Sequence, residues 1–338
     1  MAFRWIVNAG LVAIPVGTTL GVLFGIDAQR QASGEPPLFT PTSTPGSGGS
    51  SGGSGGGDST GGGGGSSGSV SDNGIVNSQY CQLSYGVSPP SKGENYTLNP
   101  NQWGVEDGVS GLCLNVTTFN NETYPTNTSA PAWSATWKYA QGPETQPVWA
   151  FPNIMVDDGL PVALSDLSAI DFDLLWTYTV GNTTSTSMDT SALDGVSLNA
   201  NVAIDMFLDA NATKSSNSSG AEYEIMVWFG RFGDSTYTIG NTTLGVIDTY
   251  NLNGTEFDLY YGKNGNDQNV FTWLTAETTS RFTGDLLKLI TELTMNNTAD
   301  YYPSGTDYLG YFSFGSEAYF ADDYVTFNVP ELSIDIQS

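Results

Sequence analysis

The chain from residue 80 onward reads as short runs of β-branched and aromatic residues broken by Gly, Asn, Asp, Ser and Pro. Runs at 132–139, 169–179, 200–208, 223–229, 256–261, 270–276, 308–314 and 324–329 predict strands. Many short strands and few helical segments point to an all-β sandwich, barrel or jelly roll. One segment breaks the pattern. Leu286, Leu289, Ile290 and Leu293 recur at helical spacing, with Thr283 placed to cap and Asp285 in the first turn. These residues predict one amphipathic helix packed on the outside of a β-sandwich.

Three strands carry an acid where the alternation makes it conspicuous. In Glu222-Tyr-Glu-Ile-Met-Val-Trp-Phe-Gly230, the residues Tyr223, Ile225, Val227 and Phe229 form one apolar face. Glu222, Glu224, Met226 and Trp228 share the other. In 201–208, Val202, Ile204, Met206 and Leu208 face one way and Asp205 the other. A third run, 311–320, carries Glu317 at the end of its strand. An exposed strand face would account for one such acid. Three strands presenting carboxylates beside Met226 and Trp228 predict a cleft lined by acids, with an aromatic platform.

Composition divides the chain and narrows its partners. Residues 46–69 are nearly all Gly and Ser, preceded by Pro/Thr/Ser-rich sequence, so 35–72 is expected to be a linker without a core of its own. The remaining 73–338 suit one sizeable β domain. Before the linker, an uncharged stretch at 5–26 lies between Arg4 and Asp27. That length predicts either a signal peptide or an uncleaved anchor within 1–34, and export of the domain in both cases. Net charge is −26, with nine Lys and Arg, which argues against nucleic acid as a partner. The chain has no histidine, which removes Ser-His-Asp triads, histidine-ligated zinc and imidazole bases. Proton transfer then falls to carboxylates. Glycosylation sequons begin at Asn95, Asn115, Asn121, Asn127, Asn182, Asn211, Asn217, Asn241, Asn253 and Asn296, as in a secreted glycoprotein. In an oxidising compartment the two cysteines, Cys81 and Cys113, are expected to form a disulfide. The expected product is a monomer, secreted or tethered to the cell surface.

Acids with aromatic platforms suit sugars, whose ring faces stack and whose hydroxyl edges need acceptors. Glycosidic cleavage needs a proton donor and a second carboxylate, and requires neither a metal nor another cofactor. Besides Trp103 and Trp228, the domain holds Trp133, Trp137, Trp149, Trp176 and Trp273, expected to be mostly core.

On these motifs the chain resembles glycoside hydrolase family 12, the endo-β-1,4-glucanases and xyloglucanases, from about Tyr80 to its end. Tyr223–Phe229 looks like the family's nucleophile strand, which implies Glu224 as nucleophile. Phe314-Gly-Ser-Glu-Ala resembles the acid/base segment and implies that role for Glu317. Asn201-Val-Ala-Ile-Asp-Met-Phe matches the strand whose aspartate, here Asp205, supports the nucleophile, by an expected hydrogen bond to Glu224. Asn101-Gln-Trp-Gly resembles the segment of a stacking tryptophan, here Trp103, and Met226 and Trp228 complete the expected substrate-binding set. Leu259-Tyr-Tyr-Gly-Lys-Asn-Gly, Phe282-Thr-Gly-Asp and the early cysteine pair also fit. The resemblance implies a jelly roll of two curved antiparallel sheets and hydrolysis of β-1,4-glucan with retention. The chain departs from the family at Ser84, where a tryptophan is common, and in Ser316-Glu-Ala-Tyr-Phe-Ala, where Thr-Glu-Pro-Phe-Thr-Gly is usual. These changes leave cellulose-type, xyloglucan and mixed-linkage glucans open as substrates. A non-catalytic lectin-like sandwich is the competing class, although it needs no matched pair of acids.

Overall fold

The computed structural model describes residues 74–82, 85–103, 111–119, 124–143, 147–295 and 299–338. The expected leader or anchor, the linker, Ser84, Asn121 and Asn296 lie outside the described residues. Among those described, no helix is long and apolar enough to cross a membrane.

Two sheets pack face to face. The smaller has six strands: β1 (Ile75–Cys81), β3 (Gly111–Phe119), β4 (Ala132–Lys138), β16 (Val325–Gln337), β7 (Ala169–Val180) and β13 (Arg281–Asp285), in that order. The larger runs β10 (Asp248–Leu252), β11 (Thr255–Lys263), β12 (Asn269–Thr275), β9 (Tyr223–Phe232), β8 (Asn199–Asp209), β14 (Tyr308–Gly315), β5 (Asn153–Val156) and β2 (Tyr96–Asn99). Two short strands join it, β15 (Ala318–Phe320) on β8 and β6 (Val162–Ala163) on β14. Pairing is antiparallel except between β9 and β12, which run parallel with Glu224 beside Val270. This is the jelly-roll sandwich that the family resemblance implies, one of the architectures that the strand pattern leaves open.

Alternation explains why the sheets pack. Ile225, Val227 and Phe229 of β9 and Val202, Ile204, Met206 and Leu208 of β8 all face the smaller sheet, fully buried. Phe172, Trp176 and Tyr178 of β7, Trp133 and Trp137 of β4 and Phe327 of β16 meet them from the other side. Phe172 stacks on Phe229 with ring centroids 5.7 Å apart. The core therefore lies between the sheets, and the opposite face of the larger sheet is left for the acids. Cys81 and Cys113 are direct cross-strand partners on β1 and β3 and form the expected disulfide.

The helix begins later than its spacing predicts. Thr283 and Asp285 belong to β13, with Thr283 opposite Asp173 of β7 and donating to its Oδ1 at 3.0 Å. The helix runs Leu287–Met295 and buries Leu289, Ile290 and Leu293. Asp285 Oδ1 accepts from the N–H groups of Ile170 and Leu287, so it, rather than Thr283, satisfies a free donor at the turn into the helix. Strand pairing to β7 wins because it satisfies main-chain groups across five residues, whereas a longer helix adds a single turn. Two shorter helices, Thr190–Gly195 and Ala212–Ser215, also occur.

Candidate active site

The adjacent strands β9, β8 and β14 build the floor of the site. Across β8 and β9, Ala203 lies opposite Trp228, Asp205 opposite Met226 and Phe207 opposite Glu224. Ser313 of β14 flanks Asp205 from the other side. Ala203, Met226 and Trp228 form an apolar patch of their own with Leu274, separate from the inter-sheet core. Glu224, Met226 and Trp228 thus share one face of the larger sheet with Asp205.

Glu317 reaches this surface by a turn. Gly315 ends β14 between Ala203 of β8 and Asn153 of β5. The chain then folds back, and Ala318 pairs with Ala200 of β8. Of the two residues between them, Asn201 fixes Glu317. Its Oδ1 accepts the Glu317 N–H at 2.8 Å, and its Nδ2 donates to Glu317 Oε2. Behind it, Ser316 Oγ donates to Asn201 O at 2.5 Å and hydrogen-bonds Tyr178 Oη at 2.6 Å, within the core.

Burial sets the electrostatics. Asp205, Glu224 and Glu317 are only 4%, 4% and 7% exposed. Desolvation is the main force on each. It pushes Glu317 up to about 8, with the nearby Glu224 charge adding to it and the Asn201 hydrogen bond opposing. Glu224 is pushed up to about 7, opposed by a hydrogen bond from Asn264. Asp205 is raised as well, by desolvation and then by Glu224 and Glu317. Three carboxyls in one dry pocket cannot all ionise. One of the two glutamates must then keep its proton while the other ionises, the division that acid-base work at a glycosidic bond needs.

The hydrogen bond to Glu224 comes from Asn264 Nδ2, at 2.8 Å, while Asp205 Oδ1 has no partner among the described residues. The charges of Glu224 and Glu317 raise the proton affinity of Asp205 in turn. Glu222, one residue before β9, is exposed. Trp103 packs with Val148, Phe151, Tyr319 and Phe320, beside the segment that carries Glu317. Trp103 Nε1, Trp228 Nε1 and Thr272 Oγ1 are buried and also find no partner among the described residues. Of the other tryptophans, Trp133, Trp137, Trp176 and Trp273 lie in the inter-sheet core. Trp149 is partly buried and donates to Ala140 O at 2.9 Å.

Two functional contacts escaped sequence reasoning. Asn201 and Asn264 both sit inside motifs that match the family, yet each reads as an ordinary polar residue, one mid-strand and one in a turn.

A family model, glycosyl hydrolase family 12, matches residues 94–337. Endoglucanase A of Aspergillus kawachii is 26% identical over 245 residues, covering 72% of this chain and 84% of that protein. Xyloglucan-specific endo-beta-1,4-glucanase A of Aspergillus niger is 30% identical over 244 residues, covering 72% and 86%. Among solved structures, endoglucanase 3 of Trichoderma harzianum superposes with a TM-score of 0.60 at 23% identity, over 77% of this chain and 98% of that one. Its likeness bears on the fold, while the family match bears on descent and chemistry. A sandwich whose central strands gather three buried carboxyls on one face, matched along nearly its whole folded length, belongs to glycosyl hydrolase family 12 and is a glycoside hydrolase acting as an endoglucanase.

Proposed function

We propose that the chain hydrolyses internal β-1,4 linkages of cellulose-type glucan with retention of configuration, using Glu224 as nucleophile and Glu317 as acid/base. The observation that carries this reading is the pair itself, two buried glutamates on one face of the larger sheet, Glu224 held by a hydrogen bond from Asn264 and Glu317 by one from Asn201. In the first step Glu224 attacks the anomeric carbon and Glu317 gives its proton to the departing glycosidic oxygen. The glycosyl ester formed carries no charge on Glu224. Glu317 is then relieved of a repulsive neighbour, holds its own charge more readily and takes a proton from the incoming water. Water attacks the anomeric carbon, the ester bond breaks and Glu224 leaves as carboxylate. Asp205 favours this exchange, because its proximity disfavours two charges in the pocket at once. The rings of Trp103 and Trp228 suit the apolar faces of sugars. Export, expected from the N-terminal sequence and the sequons, places this chemistry outside the cell.

The test is the anomeric form of the first product, followed by proton NMR on a soluble β-glucan, together with substitution of the pair. Retention is expected, with Glu224→Gln inactive but still binding glucan. Glu317→Gln should slow natural glucans far more than aryl glycosides whose leaving groups need little protonation. Inversion, or near-normal hydrolysis by Glu224→Gln, refutes the assignment. Parallel assays on carboxymethyl-cellulose, xyloglucan and mixed-linkage glucan rank the substrate, and a xyloglucan preference replaces the cellulose-type reading.

A further inference from the structure

The turn between β11 and β12 carries Lys263-Asn-Gly-Asn-Asp-Gln-Asn269, a polar sequence that would pass for an ordinary loop. The side chain of Asn264 is not free to turn within it. Asn264 Oδ1 accepts from the N–H groups of Asn266 at 3.0 Å and Gln268 at 3.1 Å. Asn264 Nδ2 donates to Gln268 Oε1 and to Glu224 Oε2, both at 2.8 Å. All the bonding capacity that fixes the amide is committed. Rotating it by half a turn would set oxygen against the Glu224 carboxylate and nitrogen against two N–H donors. The donor therefore always faces Glu224.

Gln268 holds that arrangement from behind. It is 4% exposed, and its Nε2 donates to Ser218 O at 2.9 Å and Ala221 O at 2.8 Å. Those carbonyls belong to the loop that leads into β9, and Ala221 precedes Glu224 by three residues. Asn269 N in turn donates to Glu222 O at 3.0 Å. One turn thus grips both the strand of Glu224 and its carboxylate.

We propose that Asn264, locked by Gln268, is a positioning residue for Glu224: it holds Oε2 by a fixed donor and leaves Oε1 for attack on the anomeric carbon. The proposal rests on the nucleophile reading above. The acids facing Glu224 are Asp205 from β8 and Glu317 from beyond β14, and the Glu224 charge raises the proton affinity of both. Glu222 lies one residue before β9 and is exposed. Among these neighbours Asn264 supplies the one hydrogen bond that favours the carboxylate.

The test uses an activated 2-deoxy-2-fluoro cellobioside, whose good leaving group makes inactivation report the nucleophile's attack rather than help from Glu317. Inactivation of Asn264→Ala is expected to be at least about tenfold slower than that of the parent, as for loss of a hydrogen bond to a charged group. The acid limb of kcat/KM should move to higher pH, while KM for glucan changes by less than about threefold. Asn264→Asp keeps the Oδ1 acceptor for both turn N–H groups, so it preserves the turn where alanine does not accumulate. It replaces the donor by a second acid and should show the same slowing with a larger movement of the acid limb. Inactivation and acid limb as in the parent, in either folded variant, overturn the proposal. Peptide mapping of the labelled parent separates the two readings: a label on a residue other than Glu224 refutes the nucleophile assignment itself.

Discussion

The Asn201 side chain holds Glu317 at two points, accepting its main-chain N–H at 2.8 Å and donating to its carboxyl Oε2. The amide's direction is settled by the first contact, since only its oxygen can accept an N–H. The nitrogen must then face the carboxyl. A protonated Glu317 that accepts at Oε2 carries its proton on Oε1, so Asn201 also determines which oxygen delivers it.

Replacing Asn201 with Ala should therefore weaken both position and ionisation of Glu317. The donor favours the charged form, so its loss raises the Glu317 pKa further above about 8. The basic limb of kcat/KM is expected to shift upward and its plateau to fall about tenfold or more. A pH-rate profile on soluble glucan checks both. An unmoved basic limb contradicts this account of the contact.

The buried acids also make a prediction for stability. Glu224 and Glu317 sit at about 7 and about 8 in the folded chain against ordinary values of 4.5, because burial disfavours their charges. Asp157 is raised to about 6, chiefly by burial. Between about pH 4.5 and 8 the folded state then holds more protons than the unfolded state, so stability falls as pH rises through that window. Tm should be higher at pH 4.5 than at pH 8, and Glu317→Gln, which cannot ionise, should flatten the upper part of the slope. A Tm that rises across the window rules this out.

Much of the architecture was legible because alternation is local. The apolar face of β9 and the opposing acid face could be read directly, and the motif match singled out Glu224 over Glu222. The helix start was not legible. Thr283 and Asp285 look like a cap in isolation, and only pairing with β7 makes them strand. Likewise β16 continues through Pro330 to Gln337, with an irregularity between Asn328 and Glu331 that accommodates a residue lacking an N–H. Asn264 was hidden for a different reason. It meets Glu224 across forty residues of sequence through the parallel pairing of β9 with β12. No periodicity encodes such a contact.

The disulfide is expected to act on stability and not on turnover. Cys81 and Cys113 are 32 residues apart and tie β1 to β3 at the edge of the smaller sheet. Closing a loop of that length is worth about 3–4 kcal/mol by chain entropy. Cys81→Ser with Cys113→Ser should lower the urea midpoint accordingly and leave kcat/KM of the folded fraction within about twofold. Equal midpoints would mean that β1 contributes nothing to cooperative unfolding.

Gly315 is where packing and catalysis meet. A Cβ there would lie 2.7 and 2.8 Å from Asn153 Cβ and Cα, and closer still to Pro152 O. Two of these atoms are main chain, so no rotamer change relieves the clash. Strand β14 must move away from β5 or from β8, and Glu317 follows two residues later. Gly315→Ala should then destabilise the domain by about 1–3 kcal/mol, the usual cost of forcing atoms into a packed interior. It should also lower kcat by more than the loss of folded protein explains. Gly195→Ala is the control, since a Cβ there meets nothing within 4 Å and the position is helical. Alanine at that site should be neutral or slightly stabilising, with normal turnover. If Gly315→Ala loses stability but the folded fraction retains full kcat, the turn after β14 does not set the aim of Glu317, and Asn201 alone holds it in place.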